Sequence, residues 1–367
     1  MHISRPVAVA ASMAGLATTA AAAAPRFAMY YDQWHKASPS KEATAGITHV
    51  ITAFADPLLF TTDPPTNYTP FAEPAGLRAS FGEGTKMCLA VGGWGLCKGY
   101  AAAQKTEATR ALFAKNVAAA LDAHGYDCVD VDWEYPGGNG EDYKENPNSG
   151  KLDEINNYPL LLQAIKKAIG KKELSIAVPG LERDMIAFTA EKVPAVSDAV
   201  DVVNVMAYDL MNRRDNTTQH HTSVQGSLKT IEKYIELGMD PAKMNLGIAF
   251  YAKWFKTVEK CEHPVGCETA ELEDAHGADT GLSGAKTFLE GVPVLASGVA
   301  DDAEGGQWYW DPSTSYFWTW DTPALVAQKF EKIVKAKGLG GVMAWSLGED
   351  SAEHAYIKAL QAGLKTM

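Results

Sequence analysis

The sequence predicts an α/β protein with a (β/α)8 TIM-barrel fold, in which eight parallel strands alternate with helices. Two observations predict it: eight short apolar runs, and helical patterns between several of them, because a crossover long enough to hold a helix joins parallel strands. The apolar runs cover residues 26–34, 47–55, 86–94, 126–135, 173–180, 201–209, 244–252 and 340–348. Eight such units are the number that closes into this barrel.

Two of the intervening helices have clear boundaries. Thr106 can cap a segment whose apolar residues share one face, and Gly125 ends that segment just before the fourth run. Pro323 follows Thr322 in the first turn of a later helix, and Gly338 ends it. A doubly wound open sheet is the alternative fold, but VGGWG at 91–95 lacks the GxGxxG spacing typical of it.

The chain is longer than a barrel of this kind requires. A barrel takes about 250 residues, and the chain has 367. The longest interval lies between the seventh and eighth runs, at about 254–318, and contains the aromatic sequence GQWYWDPSTSYFW. We expect one domain over residues 25–367 with an insertion at 254–318.

The N-terminal residues predict a secretory signal over 1–24. Arg5 lies in a short polar start, a weakly apolar stretch follows, and small residues suit cleavage at about 22–24. A membrane anchor is the less favoured alternative, because the stretch is rich in alanine and no later segment approaches the ~20 apolar residues of a span. We expect an extracellular protein.

The charge of the chain argues against nucleic acid as a partner. The formal net charge is -12, and we find no cluster of Lys and Arg of the kind that binds phosphate. We expect a monomer that acts without a membrane or a nucleic acid.

Five cysteines leave at least one unpaired if all bridges are internal. Cys261 and Cys267 bracket a polar loop and are the expected disulfide. Cys88 and Cys128 lie in apolar strands, where we expect free buried thiols. In a secreted chain, the sequons Asn67-Tyr-Thr and Asn216-Thr-Thr are candidate sites of N-glycosylation.

The fourth apolar run carries an unusual set of carboxylates. Side chains alternate along a strand, so Asp130, Asp132 and Glu134 point together toward the barrel axis. Three ionised groups at a spacing of roughly 6 to 7 Å would repel one another, so their pKa values should be coupled and pushed apart.

A salt-bridged structural strand is the alternative explanation. It would need basic partners, yet the apolar runs offer Arg26 and Lys86 near the starts of their strands, away from the C-terminal rim. Because barrel enzymes do their chemistry at that rim, we favour Glu134 as a general acid tuned by the aspartates.

The spacing of Asp127, Asp130, Asp132 and Glu134 is the DxxDxDxE signature, and the chain resembles glycoside hydrolase family 18, the chitinases and their relatives. The segments THVITAFA, AVGGW, MAYD, FYAKW and GGVMAWSLGED resemble the same family at its other strands. The resemblance spans nearly all of the chain after the signal. It is closest in appearance to secreted fungal members that lack a separate carbohydrate-binding module.

The resemblance implies retaining, substrate-assisted hydrolysis of chitin without a cofactor or metal. Glu134 would protonate the glycosidic oxygen and later activate water, while the N-acetyl oxygen of the substrate attacks to give an oxazolinium ion. Asp132 and Tyr208 would hold the acetamido group. Asp130 would share a proton with Asp132, and Asp127 would be structural.

The resemblance also implies a set of substrate-binding residues. Trp345 would form the apolar floor under the distorted sugar. The other groove positions are Tyr30, Phe54, Trp94, Tyr135, Met206, Asp209 and Tyr251. These residues could equally fill the barrel, and the tryptophans of the insertion could either lengthen the groove or pack the insertion.

Three positions depart from the family pattern. Ala90 stands where a serine commonly supports the buried aspartate, so we expect Asp130 to lack one hydrogen bond. Cys128 replaces a glycine, and Lys253 replaces a common arginine. None of these changes removes a catalytic group.

Two other functions remain open at this point. One is a chitin-binding lectin, but such family members have typically lost the catalytic acid, whereas this chain has Glu134 at that position. The other is an endo-β-N-acetylglucosaminidase acting on N-glycans. His220 and His221 form the one histidine pair, but they lack HExxH spacing, so we expect a solvated loop there and no metal site.

Overall fold

Thirteen strands lie in the part of the chain that the computed structural model describes, residues 24–37 and 39–367. In chain order they are β1 (Arg26–Asp32), β2 (His49–Ala55), β3 (Lys86–Gly92), β4 (Cys128–Asp132), β5 (Glu173–Val178), β6 (Val202–Val205), β7 (Met244–Ala249), β8 (Tyr251–Lys256), β9 (Ser283–Thr287), β10 (Val299–Asp301), β11 (Gly306–Asp311), β12 (Tyr316–Trp320) and β13 (Gly341–Trp345). Eight of them close a barrel in the order β1-β13-β7-β6-β5-β4-β3-β2. The pairing is parallel throughout, so the predicted fold class is confirmed.

Helices connect the barrel strands. They are α1 (Pro74–Leu77), α2 (Lys98–Ala103), α3 (Glu107–His124), α4 (Leu152–Ile169), α5 (Val193–Ala199), α6 (Val224–Glu236), α7 (Pro323–Lys329) and α8 (Ala355–Leu364). The Thr106 side chain accepts from the Thr109 N–H at the start of α3, and Gly125 ends that helix with a φ of 71°. Thr322 caps α7 by accepting from the Leu325 N–H.

The alternation of side chains along each strand separates two layers of core. On β4 and just after it, Val129, Val131 and Trp133 point outward, are buried and belong to the large apolar core of the protein. The barrel interior holds a smaller cluster in which alanines are frequent, among them Ala28, Ala53, Ala90 and Ala249. Small residues on the inner face leave room for the carboxylates.

The insertion between β7 and β13 is a five-stranded antiparallel sheet in the order β10-β11-β12-β8-β9. It occupies residues 251–320, compared with the predicted 254–318. Phe255 and Phe317 pack on one face against Met211 and Leu272, and Trp308 and Trp310 pack against this cluster. The aromatic sequence therefore contributes to the packing of the insertion.

The structure corrects the prediction of free thiols at Cys88 and Cys128, because these residues form a disulfide. The parallel register of β3 and β4 sets them side by side with their Cα atoms 4.4 Å apart. Cys261 is paired with Cys267, and Cys97 is free.

The prediction of a solvated loop at His220 and His221 is also wrong, since both side chains are buried. The His220 ring contacts Thr319 Oγ1 through Nδ1 at 3.0 Å and Asp301 Oδ2 through Nε2 at 3.1 Å. The insertion covers this segment, which the local polarity of the sequence did not reveal.

The predicted signal at 1–24 lies, except for residue 24, outside the described residues. Within residues 24–37 and 39–367, no helix combines the length and apolarity needed to cross a membrane. Asn67 and Asn216 are both exposed.

Candidate active site

A groove of about 660 Å³ lies at the C-terminal ends of the barrel strands. It brings together eleven of the residues predicted for the site: Tyr30, Phe54, Trp94, Asp132, Glu134, Tyr135, Met206, Tyr208, Asp209, Tyr251 and Trp345. Asp130 lies beneath it inside the barrel. Asp127 lies at the opposite end of β4, where it accepts hydrogen bonds from Arg78 Nη2 at 2.6 Å and from the Met87 N–H at 2.8 Å.

Asp130 is completely buried and is surrounded by hydrogen-bond donors. It accepts from Tyr30 Oη at 2.6 Å, from Asn204 Nδ2 at 3.1 Å and from Ser175 Oγ. Ser175 stands opposite Asp130 on β5. Ala90 has no hydroxyl group to offer Asp130, as expected, but Ser175 on the neighbouring strand supplies one.

Asp132 lies between Asp130 and the rim, and its environment disfavours its charge. Burial raises the pKa of Asp132 well above the usual value, and the charges of Glu134 and Asp130 raise it further. Its Oδ1 atom is buried and has no hydrogen-bond partner among the described residues. Asp132 therefore carries an acceptor that a ligand in the groove could satisfy.

Glu134 follows β4 at the rim of the barrel. Burial raises the pKa of Glu134 to about 7, the charges of Asp209 and Asp184 act in the same direction, and a hydrogen bond with Tyr135 opposes them. A carboxyl group with a pKa near neutrality exists in both protonation states at that pH. Such a group can give a proton and later take one back.

The backbone at Glu134 is held by two neighbours. The Cys97 thiol donates to the Glu134 carbonyl oxygen at 2.8 Å. Gly140 approaches so closely that a Cβ atom there would lie 2.5 Å from the same oxygen. The loops after β3 and β4 thus fix the position from which the acidic side chain extends.

Tyr208 follows β6 and directs its hydroxyl group into the groove. Burial raises the pKa of Tyr208 well above the usual value, so the phenol keeps its proton. Among the described residues its hydroxyl group has one hydrogen-bond contact, a weak one with Met343 Sδ at 3.7 Å. The hydroxyl group therefore remains able to donate to a ligand.

Asp209 adjoins Tyr208 and is held as an anion. It accepts from Tyr251 Oη at 2.8 Å and lies 3.1 Å from Lys253 Nζ. Burial opposes its charge, but Lys253, His221 and Tyr251 together hold the pKa of Asp209 below its usual range. Lys253 thus supplies a cation at the position where the family commonly has arginine.

Aromatic rings form the floor and one end of the groove. Trp345, at the end of β13, stacks on Phe54 with ring centroids 5.5 Å apart and planes inclined by 15°, and it also contacts Tyr30. Trp94 is 42% exposed and contacts Tyr135 on the other side of the site. These rings line the groove as well as filling space between strands.

Several groove residues were missed by sequence analysis. They are Gln33, Trp34, Leu96, Gly180, Leu181, Asp184, Asn212, Arg213, Arg214, Asp279, Ser283, Gly284 and Ala285. Trp34 lies two residues after the end of β1 and is 62% exposed beside Phe54. Position just after a barrel strand is a signal that could have identified Trp34. Ser283, Gly284 and Ala285 lie on β9 of the insertion.

One cluster of potential metal ligands lies beside the groove. Ligand atoms of Asp32, His35 and Glu349 lie within 4.8 Å of one another. His35 Nδ1 is 3.0 Å from Asp32 Oδ1 and 3.2 Å from Glu349 Oε1, which are hydrogen-bond distances. Asp32 also accepts from the Trp34 N–H at 2.9 Å. The cluster is satisfied internally and fixes the loop that carries Trp34.

Comparison with known proteins gives a consistent result. The sequence model of a family described as "Glycosyl hydrolases family 18" matches residues 26–350. Chitinase 1 of Aphanocladium album is 26% identical over 281 residues, which cover 71% of this chain and 60% of that protein. Endochitinase 1 of Metarhizium anisopliae is 27% identical over 289 residues, which cover 72% and 62%. This chain thus matches about three fifths of the length of these relatives.

Solved structures share the fold. A chitinase from Rhizomucor miehei superposes with a TM-score of 0.73 at 21% identity, over 92% of this chain and 99% of that one. A family 18 N-acetylglucosaminidase from Paenibacillus barengoltzii superposes with a TM-score of 0.70 at 24% identity, over 92% and 99%.

Proposed function

The chain belongs to glycoside hydrolase family 18, and from this premise we propose that it is a secreted chitinase that cleaves β-1,4 linkages between N-acetylglucosamine units. The observation that carries the proposal is the convergence of Asp132, Glu134 and Tyr208 in one groove above the aromatic floor at Trp345. Each of these side chains can perform a distinct part of the reaction.

Glu134 is the proposed acid and base. Its pKa of about 7 leaves a proton available for the glycosidic oxygen in the first step. The carboxylate that results can then remove a proton from the attacking water. Both steps require the glycosidic oxygen to bind within hydrogen-bond reach of Glu134.

Asp132 and Tyr208 are the proposed partners of the acetamido group. The unpartnered Oδ1 of Asp132 can accept the acetamido N–H, and the Tyr208 hydroxyl can donate to the carbonyl oxygen. Together they hold that oxygen against the anomeric carbon, which gives a cyclic oxazolinium ion and retention of configuration. A negative charge on Asp132 would stabilise the positive charge that develops.

Asp130 is proposed to act through Asp132 rather than on the substrate. Burial raises the pKa of Asp130, and its three donors partly offset that effect. Its recorded hydrogen bonds go to Tyr30, Ser175 and Asn204, so its influence on Asp132 is through charge. The negative charge of Asp130 contributes to the raised pKa of Asp132.

The remaining predictions are part of the same proposal. The signal at 1–24 directs secretion of a single catalytic domain over 25–367, which acts as a monomer. Oxidised Cys261 and Cys267 and the exposed sequons at Asn67 and Asn216 are compatible with an extracellular protein.

Proton NMR of chitin hexasaccharide with the native protein and with Glu134→Gln tests this function. We expect β-anomeric products early in the reaction from the native protein and at least a hundredfold less product from the variant. Early α-anomeric products would contradict retention. Broadened substrate signals without products would favour a chitin lectin. If the hexasaccharide stays intact but the protein releases N-glycans from a glycoprotein, an endo-β-N-acetylglucosaminidase would be favoured.

A further inference from the structure

Two loops that follow distant barrel strands touch each other. Residues 139–146 follow β4, and residues 271–281 belong to the insertion that follows β7. Strands β5 and β6 stand between β4 and β7 in the barrel. The contact between these loops therefore spans the C-terminal ends of β5 and β6.

Glu273 joins these two loops. It accepts a hydrogen bond from Tyr143 Oη, and its Oε1 lies 2.7 Å from Lys144 Nζ. Lys144 also donates to the Asp274 carbonyl oxygen at 2.7 Å. Only 11% of the Glu273 side chain is exposed, whereas 28% of the Lys144 side chain is, so the pair is partly shielded from solvent.

Arg214, from the loop after β6, completes the connection. It donates to the carbonyl oxygens of Asn139 and Gly140 at 2.9 and 3.0 Å. Its guanidinium group lies 4.0 Å from the ring centre of Tyr143 and 5.3 Å from that of Trp94. We call the connected segments 139–146, 212–215 and 271–281 the strap.

The position of the strap relative to the scissile bond follows from the proposed function, on which this inference rests. The sugar that carries the reacting acetamido group lies over Trp345. With the acid Glu134 on one side of that sugar, we place the leaving part of the chain beyond Glu134, toward Trp94 and Arg214, and call this the reducing-end side. Arg214 and Asp279 of the strap line the groove together with Trp94.

We propose that the strap closes the reducing-end side of the groove. The site then accepts only a short oligosaccharide beyond the bond that it cuts. The protein consequently removes short fragments from the reducing ends of chitin chains, and internal bonds with long leaving segments are poor substrates.

The test uses chitin hexasaccharide labelled with a fluorescent amine at its reducing end. The variants are Glu273→Ala, which loses the contacts with Tyr143 and Lys144, and Tyr143→Phe, which loses one hydrogen bond and keeps the ring. The control is Glu271→Ala. Glu271 is exposed in the same loop, and its side chain has no recorded partner among the described residues.

We expect the native protein and Glu271→Ala to place at least tenfold more label in mono- and disaccharides than in longer products. Glu273→Ala should raise the labelled tri- and tetrasaccharides at least fivefold, and Tyr143→Phe should give a smaller rise. Thermal melts confirm that the variants fold.

An even spread of label from the native protein, or an unchanged pattern in both Glu273→Ala and Tyr143→Phe, would overturn the inference. Hydrolysis of an aryl chitobioside is measured in parallel. If the aryl group is released but the label is spread evenly over the products, only the inference about the strap is overturned. Release from neither substrate overturns the proposed function and the strap with it.

Discussion

The two sides of the groove are built in different ways. Near Trp345 and Phe54, side chains that stand at the ends of barrel strands form an aromatic floor. On the side of the strap, loops are joined by polar contacts such as Lys144 with Glu273. A partly exposed ion pair is weakened by salt and contributes little net stability, whereas a packed barrel resists displacement. The proposed chemistry thus lies on a rigid base, and the proposed limit on substrate length depends on weaker interactions.

The largest effect on turnover should come from a change on the side of the groove that the barrel strands form. Glu134→Gln should lower turnover by about 10² to 10⁴, the range for loss of a general acid. The fold should be kept, because the amide has the shape of the carboxyl group. Turnover and the melting temperature are the measurements, and near-native turnover in a folded variant would remove Glu134 from the mechanism.

Asp132→Asn should lower turnover by about 10², the effect of losing one group that stabilises developing charge. Binding of chitin oligosaccharides should change far less, because the amide still occupies the site. Calorimetry with an inert oligosaccharide and steady-state kinetics separate the two effects. Loss of binding as large as the loss of turnover would contradict a role in the transition state.

Asp209→Asn should shift the pH profile. Protonated Glu134 is the active form for the first step, so turnover should fall as the pH rises through about 7. The charge of Asp209 raises the pKa of Glu134, so its removal should move this fall to lower pH. The pH dependence of aryl chitobioside hydrolysis provides the measurement. If the pH at which turnover falls were unchanged or higher in the variant, Asp209 would not raise the pKa of Glu134.

The smallest effect should be that of added salt, and it compares the strap directly with the aromatic floor. At about 1 M salt the screening length is about 3 Å, so the ion pairs of the strap should weaken. The share of label in tri- and tetrasaccharides should then rise modestly, while aryl chitobioside hydrolysis changes less. If salt changed both reactions equally, the strap would be no more sensitive to salt than the aromatic floor, and the contrast between the two sides would fail.

Sequence analysis could predict the barrel strands and the acidic residues because both depend on local alternation. Asp130, Asp132 and Glu134 share a face whatever the rest of the chain does. The family resemblance then indicated where Tyr208 and Trp345 would meet them.

Contacts between distant segments could not be predicted in this way. The disulfide at Cys88 depends on the register between β3 and β4, and the donor at Ser175 depends on the register between β4 and β5. His221 is buried because the chain folds over it, and Arg214 acquires its partners only when three loops come together. Each of these features requires tertiary information.

The Cys88–Cys128 disulfide also bears on the order of assembly. Both residues are 2% exposed or less and face the barrel interior. Oxidants and reductants in solution need access to the sulfur atoms, and the closed barrel blocks that access. Oxidation of this pair must therefore precede or accompany closure. Strand β4, which carries Asp130 and Asp132, is then covalently joined to its neighbour β3 by the time the ring is complete.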